Sequence, residues 1–157
     1  MSSVPLVYVD TSAFGALLVS QAQTEALVKW LDAANVRLVS SDLLETELRR
    51  MAVREGRDQA RVSAILDGVA LAALDRATYR SAGFLPLPYL RTLDALHLEA
   101  AIRLDADAIL TYDHRLAEAA ATTGLDVIAP SAPNVSQRAS WSSTGTCSGT
   151  PAHRSGN

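Results

Sequence analysis

The fold of this chain is decided by the stretch Leu6-Val7-Tyr8-Val9-Asp10-Thr11-Ser12, an apolar run that ends in a carboxylate and two hydroxyls. An unbroken apolar run rich in β-branched residues is typical of a strand buried on both faces of a sheet. Asp10 follows the carboxyl end of this strand, and Thr11 or Ser12 is expected to cap a helix that starts near Ala13. Because open parallel sheets bind ligands at the carboxyl ends of their strands, Asp10 is a candidate functional residue as well as an ordinary turn residue.

The composition of the 157 residues is that of one globular domain, with 48% hydrophobic and 20% charged residues. The formal net charge of -3 gives no strong overall field that would favour nucleic acid. The single cysteine, Cys147, cannot form a disulfide within these residues. There is neither a signal-peptide pattern nor an apolar run of about 18 residues. We therefore expect a cytoplasmic protein that does not enter a membrane.

Short apolar segments alternate with helical patterns up to residue 130. The patterns predict strands at 6–9, 36–39, 69–74, 108–111 and 126–129, and helices at 13–20, 24–33, 42–54, 58–67, 76–82, 92–104 and 114–121. Such alternation is typical of an α/β domain with a mostly parallel sheet. Residues 131–157 consist mainly of Ser, Thr, Gly, Pro and Ala, so we predict one domain over 1–130 and a disordered tail after it.

Two carboxylates interrupt the apolar faces of predicted helices. Glu47 projects between Leu43 and Met51, on the arc that the helix is expected to bury. An ionised glutamate in that position is costly unless it is paired or binds a metal. Asp94 lies in the same way on the apolar stripe of its helix, although it can also be a first-turn acid that the helix dipole stabilises. His97, on the same stripe, is interpreted as a buried core histidine rather than a metal ligand.

Asp113 follows the fourth predicted strand directly and so matches Asp10 in position; its alternative role is a helix N-cap. Thr111, near the carboxyl end of that strand, is placed to orient a ligand or a water. If the strands are parallel neighbours, four carboxylates converge in one cleft: Asp10, Glu47, Asp94 and Asp113. Such a cluster is tolerated only if some groups are protonated or cations neutralise them. Oxygen ligands without Cys or several His favour Mg²⁺ or Mn²⁺ over zinc.

Four short motifs stand in order along residues 4–130: Val9-Asp10-Thr11-Ser12-Ala13, Ser41 with Glu47-Leu48-Arg49-Arg50, Leu93-Asp94-Ala95-Leu96-His97-Leu98, and Thr111-Tyr112-Asp113-His114-Arg115-Leu116. Together they resemble the PIN domain and, in detail, the VapC toxins of bacterial toxin–antitoxin pairs. The resemblance implies a three-layer PIN-like fold with a parallel sheet flanked by helices. It also implies a metal-dependent endoribonuclease that hydrolyses RNA phosphodiester bonds as a toxin.

The resemblance further implies how the site works and what binds to it. The matched acidic residues would hold one or two Mg²⁺ or Mn²⁺ ions and activate a water: Asp10, Glu47, Asp94 and Asp113. Thr11 and Thr111 match the polar positions that orient those carboxylates or waters. The implied partners are the RNA substrate, a VapB-type antitoxin that covers the cleft with a peptide, and a second copy of the chain. The tail after Pro130 has no counterpart in the family.

There are three alternatives to this interpretation. A phosphatase of the haloacid dehalogenase type needs a second Asp two residues after Asp10, where this chain has Ser12. A receiver domain needs an acidic pair after its first strand and a lysine after its last, and Lys29 is the one lysine in the chain. A non-catalytic PIN-like module that binds RNA or a protein partner remains the principal alternative.

A run of arginines follows Glu47 and permits two interpretations. It comprises Arg49, Arg50, Arg54, Arg57 and Arg61. These side chains can contact an RNA backbone, or they can form an ordinary solvated helix face. The sequence leaves both interpretations open.

Overall fold

Five parallel strands form the central sheet of the computed structural model, which describes residues 3–132. They are β1 (Leu6–Val9), β2 (Arg37–Ser41), β3 (Ala70–Ala72), β4 (Ala108–Leu110) and β5 (Asp126–Ile128). Their order across the sheet is β3-β2-β1-β4-β5, and every pair of neighbours is parallel. The predicted α/β fold with a parallel sheet is confirmed. The predicted disordered tail, apart from its first two residues, lies outside the described residues.

Seven helices connect and flank the strands of this described part. They are α1 (Thr11–Leu18), α2 (Thr24–Ala33), α3 (Asp42–Glu55), α4 (Gln59–Leu66), α5 (Arg76–Gly83), α6 (Thr92–Arg103) and α7 (His114–Thr122). Among residues 3–132 there is no helix with the length and apolarity needed to cross a bilayer.

The start of α1 differs from the sequence prediction. The helix begins at Thr11 rather than near Ala13, because Asp10 itself is the N-cap and accepts a hydrogen bond from the backbone N of Ser12. Neither Thr11 nor Ser12 is therefore the cap. Helix α6 begins at Thr92, as predicted, and Arg91 occupies its cap position without a side-chain hydrogen bond. Side-chain capping thus ties the first helix, but not the sixth, to its place in the sheet.

The two faces of the sheet carry separate apolar layers. Val7 and Val9 of β1 pack in one core, which contains residues of α1, α2, α3 and α4. Tyr8 points to the opposite face and packs with Leu98 of α6 and Leu116 of α7. Helix α5 packs on α6. The predicted three-layer arrangement is confirmed, and successive residues of β1 contribute to both layers because strand side chains alternate.

The carboxyl ends of β1 and β4 coincide at the centre of the sheet. Val9 is paired with Leu110, and the backbone N of Asp10 donates to the Leu110 carbonyl at 3.1 Å. In the sheet, β2 and β3 lie on one side of β1, whereas β4 and β5 lie on the other side. The strand order therefore reverses between β1 and β4, which is where an open parallel sheet has its ligand crevice.

The packing of α3 gives a first prediction about stability. Leu48 is fully buried in the α1–α4 layer, so Leu48→Ala should lower the free energy of unfolding by about 2–5 kcal/mol. Val53, on the same helix, is 59% exposed, and Val53→Ala should change it by less than about 0.5 kcal/mol. Urea denaturation followed by circular dichroism measures both values. Equal losses in the two variants would contradict this placement of α3.

Candidate active site

Asp10 is held rigidly at the end of β1 and is nearly buried. Its Oδ2 accepts hydrogen bonds from the backbone N of Ser12 at 3.2 Å, from Ser12 Oγ at 2.6 Å and from Thr111 Oγ1 at 2.8 Å. Ser12 Oγ in turn accepts from the backbone N of Tyr112 at 2.9 Å. None of these bonds uses Oδ1. The carboxylate is therefore fixed through Oδ2, whereas Oδ1 makes no hydrogen bond with another described residue and lies 3.8 Å from Nε2 of His97.

Thr111 connects the ends of β1 and β4. Its Oγ1 donates to Asp10 and accepts from the backbone N of Asp113 at 3.1 Å. Asp113 is the N-cap of α7, because its Oδ1 accepts from the backbone N of Leu116 at 2.9 Å. The cap role that the sequence offered as an alternative is thus present. It occupies Oδ1 and leaves Oδ2 of Asp113 available.

Glu47 reaches the same edge of the sheet from α3. Its Oε2 accepts from Thr11 Oγ1 at 2.6 Å and lies 2.6 Å from Nε2 of His97. Burial raises the pKa of the Glu47 carboxyl, but the hydrogen bonds from His97 and Thr11 and the charge of His97 outweigh it, so that the pKa is lowered. The sequence analysis assigned no partner to Glu47. His97 lies 50 positions further along the chain, and helix spacing does not reveal such a pair.

His97 is buried and uses both ring nitrogens within the protein. Nε2 contacts Glu47, and Nδ1 lies 2.8 Å from the hydroxyl of Tyr8, which lies 3.0 Å from Ser41 Oγ. Burial alone would lower the pKa of His97. The hydrogen bond to Glu47 and the negative charges of Asp10, Glu47 and Asp94 outweigh this effect, so that the pKa is raised. Burial also raises the pKa of Tyr8 to about 12. The interpretation of His97 as a core histidine agrees with these contacts.

Asp94 lies near enough to the other three carboxylates for their charges to affect it. It is half-buried in the first turn of α6. Burial raises its pKa, and the charges of Asp113, Asp10 and Glu47 raise it further, against an opposing effect of His97. These electrostatic effects act between groups from four different elements. The structure therefore brings together the four acidic residues that the sequence singled out.

Two of the carboxylates, Glu47 and Asp113, are engaged with protein partners. Over residues 3–132, no three side chains of His, Cys, Asp or Glu already stand where they could jointly bind one metal ion. The reason is local, since Glu47 is bonded to His97 and Thr11 while Asp113 caps α7. Joint ligation requires some of these side chains to rotate. The roles of the acidic residues and of Thr11 and Thr111 stay predictions.

Three hydroxyl groups that shape the cleft were not among the predicted site residues. Ser12 fixes Asp10, while Tyr8 and Ser41 anchor the far side of His97. One signal was present, because Tyr8 is the one polar side chain inside the apolar run of β1. The partner of that hydroxyl lies on α6, 89 positions away, and could not be read from the sequence.

Comparison with known proteins identifies this arrangement. Residues 7–122 of the chain match the sequence pattern of the PIN domain family. The chain belongs to the PIN domain family. This chain is 39% identical to Ribonuclease VapC46 of Mycobacterium tuberculosis over 129 residues, which covers 80% of this chain and 98% of the relative. It is 38% identical to Ribonuclease VapC35 of the same species over 135 residues, with 80% and 97% covered. The resemblance found in the sequence is confirmed.

Solved structures share the fold of this PIN domain. The crystal structure of Mycobacterium tuberculosis VapC20, described as a sarcin-ricin loop cleaving toxin, superposes with a TM-score of 0.62 at 16% identity. The match covers 72% of this chain and 94% of that one. A toxin–antitoxin complex from Klebsiella pneumoniae gives a TM-score of 0.61 at 18% identity, covering 78% and 95%. At these identities the likeness concerns the fold.

The His97–Glu47 pair predicts how the stability of the metal-free PIN domain depends on pH. The pKa of His97 is raised above 6.5 in the folded chain, so its contribution is complete below pH 6.5 and is lost as pH rises through the raised pKa. The pKa of Glu47 is lowered below 4.5, so its contribution is present above pH 4.5 and is lost as pH falls through the lowered pKa. The free energy of unfolding in EDTA should therefore fall on both sides of this window.

Urea titrations in EDTA from about pH 3 to pH 9 measure this dependence. The control variant is His97→Gln, which can still donate a hydrogen bond but does not titrate. It should lose the decline above pH 6.5. A decline of the same size in the variant would assign the effect to another group.

Proposed function

We propose that this PIN domain is an endoribonuclease that hydrolyses RNA phosphodiester bonds and acts as the toxin of a toxin–antitoxin pair. The observation that carries the proposal is the linked arrangement beside the carboxyl ends of β1 and β4. His97 Nε2 lies 2.6 Å from Glu47 and 3.8 Å from Oδ1 of Asp10, and Thr111 joins Asp10 to Asp113. Relatives that span most of the chain at 38–39% identity are named ribonucleases, which supports the same activity.

We propose that Mg²⁺ or Mn²⁺ is the cofactor. The donor set fits such an ion, because it consists of carboxylate oxygens. The negative charges of Asp113, Asp10 and Glu47 that raise the pKa of Asp94 would also be offset by a cation. Asp10, Asp94 and Asp113 would hold the ion, with Glu47 as a further ligand directly or through water. A bound ion supplies positive charge at the phosphate and a water of lowered pKa.

The other side chains orient these ligands. Ser12 and Thr111 hold Asp10 through Oδ2, so that Oδ1 is presented to the cleft without a search among rotamers. Thr11 and His97 keep Glu47 ionised and fix its Oε2. Asp94 has the raised pKa and is the carboxyl that most readily holds a proton in the metal-free cleft. Preorganised groups of this kind reduce the reorganisation needed when substrate binds.

Cleavage of structured RNAs tests the proposal. The full chain, freed of any co-purifying antitoxin, should cut tRNAs or ribosomal fragments at discrete sites with Mg²⁺ or Mn²⁺ and not with EDTA. Asp10→Asn should reduce the cleavage rate by at least about 100-fold, because it removes a ligand rather than a group that merely orients one. Asp126→Asn, the same change at an exposed residue at the start of β5, should leave the rate unchanged.

Two outcomes would contradict this assignment. Cleavage that survives Asp10→Asn would mean that another site or a contaminant cuts the RNA. Binding of Mn²⁺ and RNA without any cleavage would favour the non-catalytic PIN-like module.

We further propose that the natural inhibitor is a VapB-type antitoxin and that the chain forms a homodimer. A toxin whose chemistry depends on Asp10 should arrest growth when it is expressed in a bacterial host, and Asp10→Asn should not. Colony counts after induction measure this difference, with Asp126→Asn as the matched control. Growth arrest by both Asp10→Asn and Asp126→Asn would mean that toxicity does not depend on the carboxylate cluster. Sedimentation of the purified chain determines whether it is a dimer.

A further inference from the structure

One face of α3 forms a continuous stripe with Glu47 near its middle. The stripe follows helical spacing and consists of Leu43, Thr46, Glu47, Arg50, Met51 and Arg54. All of its members line a cavity of about 410 Å³, together with Thr11 and Leu93. From Leu43 to Arg54 the stripe spans roughly 16 Å of helix axis. The carboxylate cluster therefore opens onto the side of a groove that runs along α3.

The groove continues beyond the start of α3 to α5. Leu43 and Thr46 also line a cavity of about 140 Å³ whose far wall includes Tyr79. Tyr79 in turn lines a cavity of about 440 Å³ with Arg76, Arg80 and Phe84. Because they share wall residues, the three cavities lie next to one another along α3 and α5. We call the three cavities together the α3 track.

The contacts of the arginines show which of them are available to bind a ligand in the α3 track. Arg49 donates to Glu45 and Gln59, and Arg61 donates to the Leu17 carbonyl, so both are engaged within the protein. Arg50 and Arg54 point into the cavity with Glu47 and have no ion pair with another described residue. Of the five arginines, two are thus structural, two present positive charge beside the carboxylates, and Arg57 is exposed and lines none of the three cavities.

The other end of the α3 track carries exposed aromatic rings. Tyr79 is 52% exposed and Phe84 is 76% exposed, and Arg76 and Arg80 lie in the same cavity. Exposed rings beside cationic side chains are typical of surfaces on which unpaired nucleotide bases stack.

We propose that a single-stranded segment of RNA lies along the α3 track. Its phosphates contact Arg50 and Arg54 on one side of Glu47, and its bases stack on Tyr79 and Phe84 on the other side. This inference rests on the proposed function, because it takes RNA as the substrate. The scissile phosphate then enters the recess of Asp10, which is only 4% exposed and so is reached by one strand more easily than by a duplex.

Salt dependence of RNA binding tests the phosphate contacts. The probe is a fluorescein-labelled uridine 12-mer, and the protein is the full chain carrying Asp10→Asn, which prevents cleavage. Fluorescence anisotropy over a KCl series gives the slope of log Kd against log salt. Arg50→Ala/Arg54→Ala should reduce that slope by about 1.4, since each lost contact to a single strand removes about 0.7.

The matched control is Lys29→Ala/Arg37→Ala, which removes the same charge from exposed residues that line none of the three cavities. Its slope should equal that of the parent. Equal slopes in all three proteins would overturn the phosphate contacts. A loss of slope in the control as large as that in the arginine variant would also overturn them, because it would reflect net charge alone.

Substitution of the rings tests the stacking contacts. Tyr79→Ala and Phe84→Ala should each weaken binding about tenfold at every salt concentration with the slope retained, whereas Tyr79→Phe should bind like the parent. All of these side chains are exposed, so melting curves should match the parent. If Tyr79→Ala keeps its RNA affinity but changes the sedimentation of the chain, the patch is a protein interface and the RNA contact there is wrong.

The test distinguishes the α3 track from the proposed catalysis. If RNA binds with the expected losses of slope but the wild-type chain cleaves no RNA, the proposed binding along the α3 track is supported and the proposed nuclease activity is wrong. If the wild-type chain cleaves RNA but the slope of the arginine variant is unchanged, the proposed nuclease activity is supported and the proposed binding along the α3 track is wrong. Failure of the uridine 12-mer and of every RNA in the cleavage panel to bind would remove both.

Discussion

The candidate site depends on the hydrogen bonds that Oδ2 of Asp10 accepts from Ser12 and Thr111. These bonds give one residue three tasks: it ends β1, caps α1 and joins β1 to β4. The carboxylate is therefore part of the connection between two strands and a helix, rather than an addition to a finished scaffold.

Much of this architecture could be predicted from the sequence because it depends on local patterns. The apolar run of β1 and the alternation of strands and helices predicted the parallel sheet, and helix periodicity placed Glu47 and Asp94 on buried faces. The boundary of the domain near residue 130 and the disordered tail stay predictions. The start of α1 was missed because Asp10 was regarded as the end of a strand and not also as a cap.

Contacts between distant segments could not be predicted in this way. Glu47 is stabilised by His97, and His97 by Tyr8, across separations of 50 and 89 positions. The arginines after Glu47 look equivalent in the sequence, yet Arg61 bonds to the α1 carbonyl of Leu17 whereas Arg50 faces the groove. Helix spacing shows which side chains share a face. It does not show which neighbouring element that face meets, and that element decides whether a charge is neutralised or available.

The alternation of β1 has a consequence for the precision of its pairing. Tyr8 turns toward His97 while Val7 and Val9 fill the opposite layer. A slip of one residue against β4 would exchange these faces, carry the phenol away from the imidazole and move Asp10 off the end of Leu110. With only four residues in the strand, few ladder bonds oppose such a slip, and the match of side chains to their layers must do so. Alignment of the chain during folding is thus inseparable from assembly of the cleft.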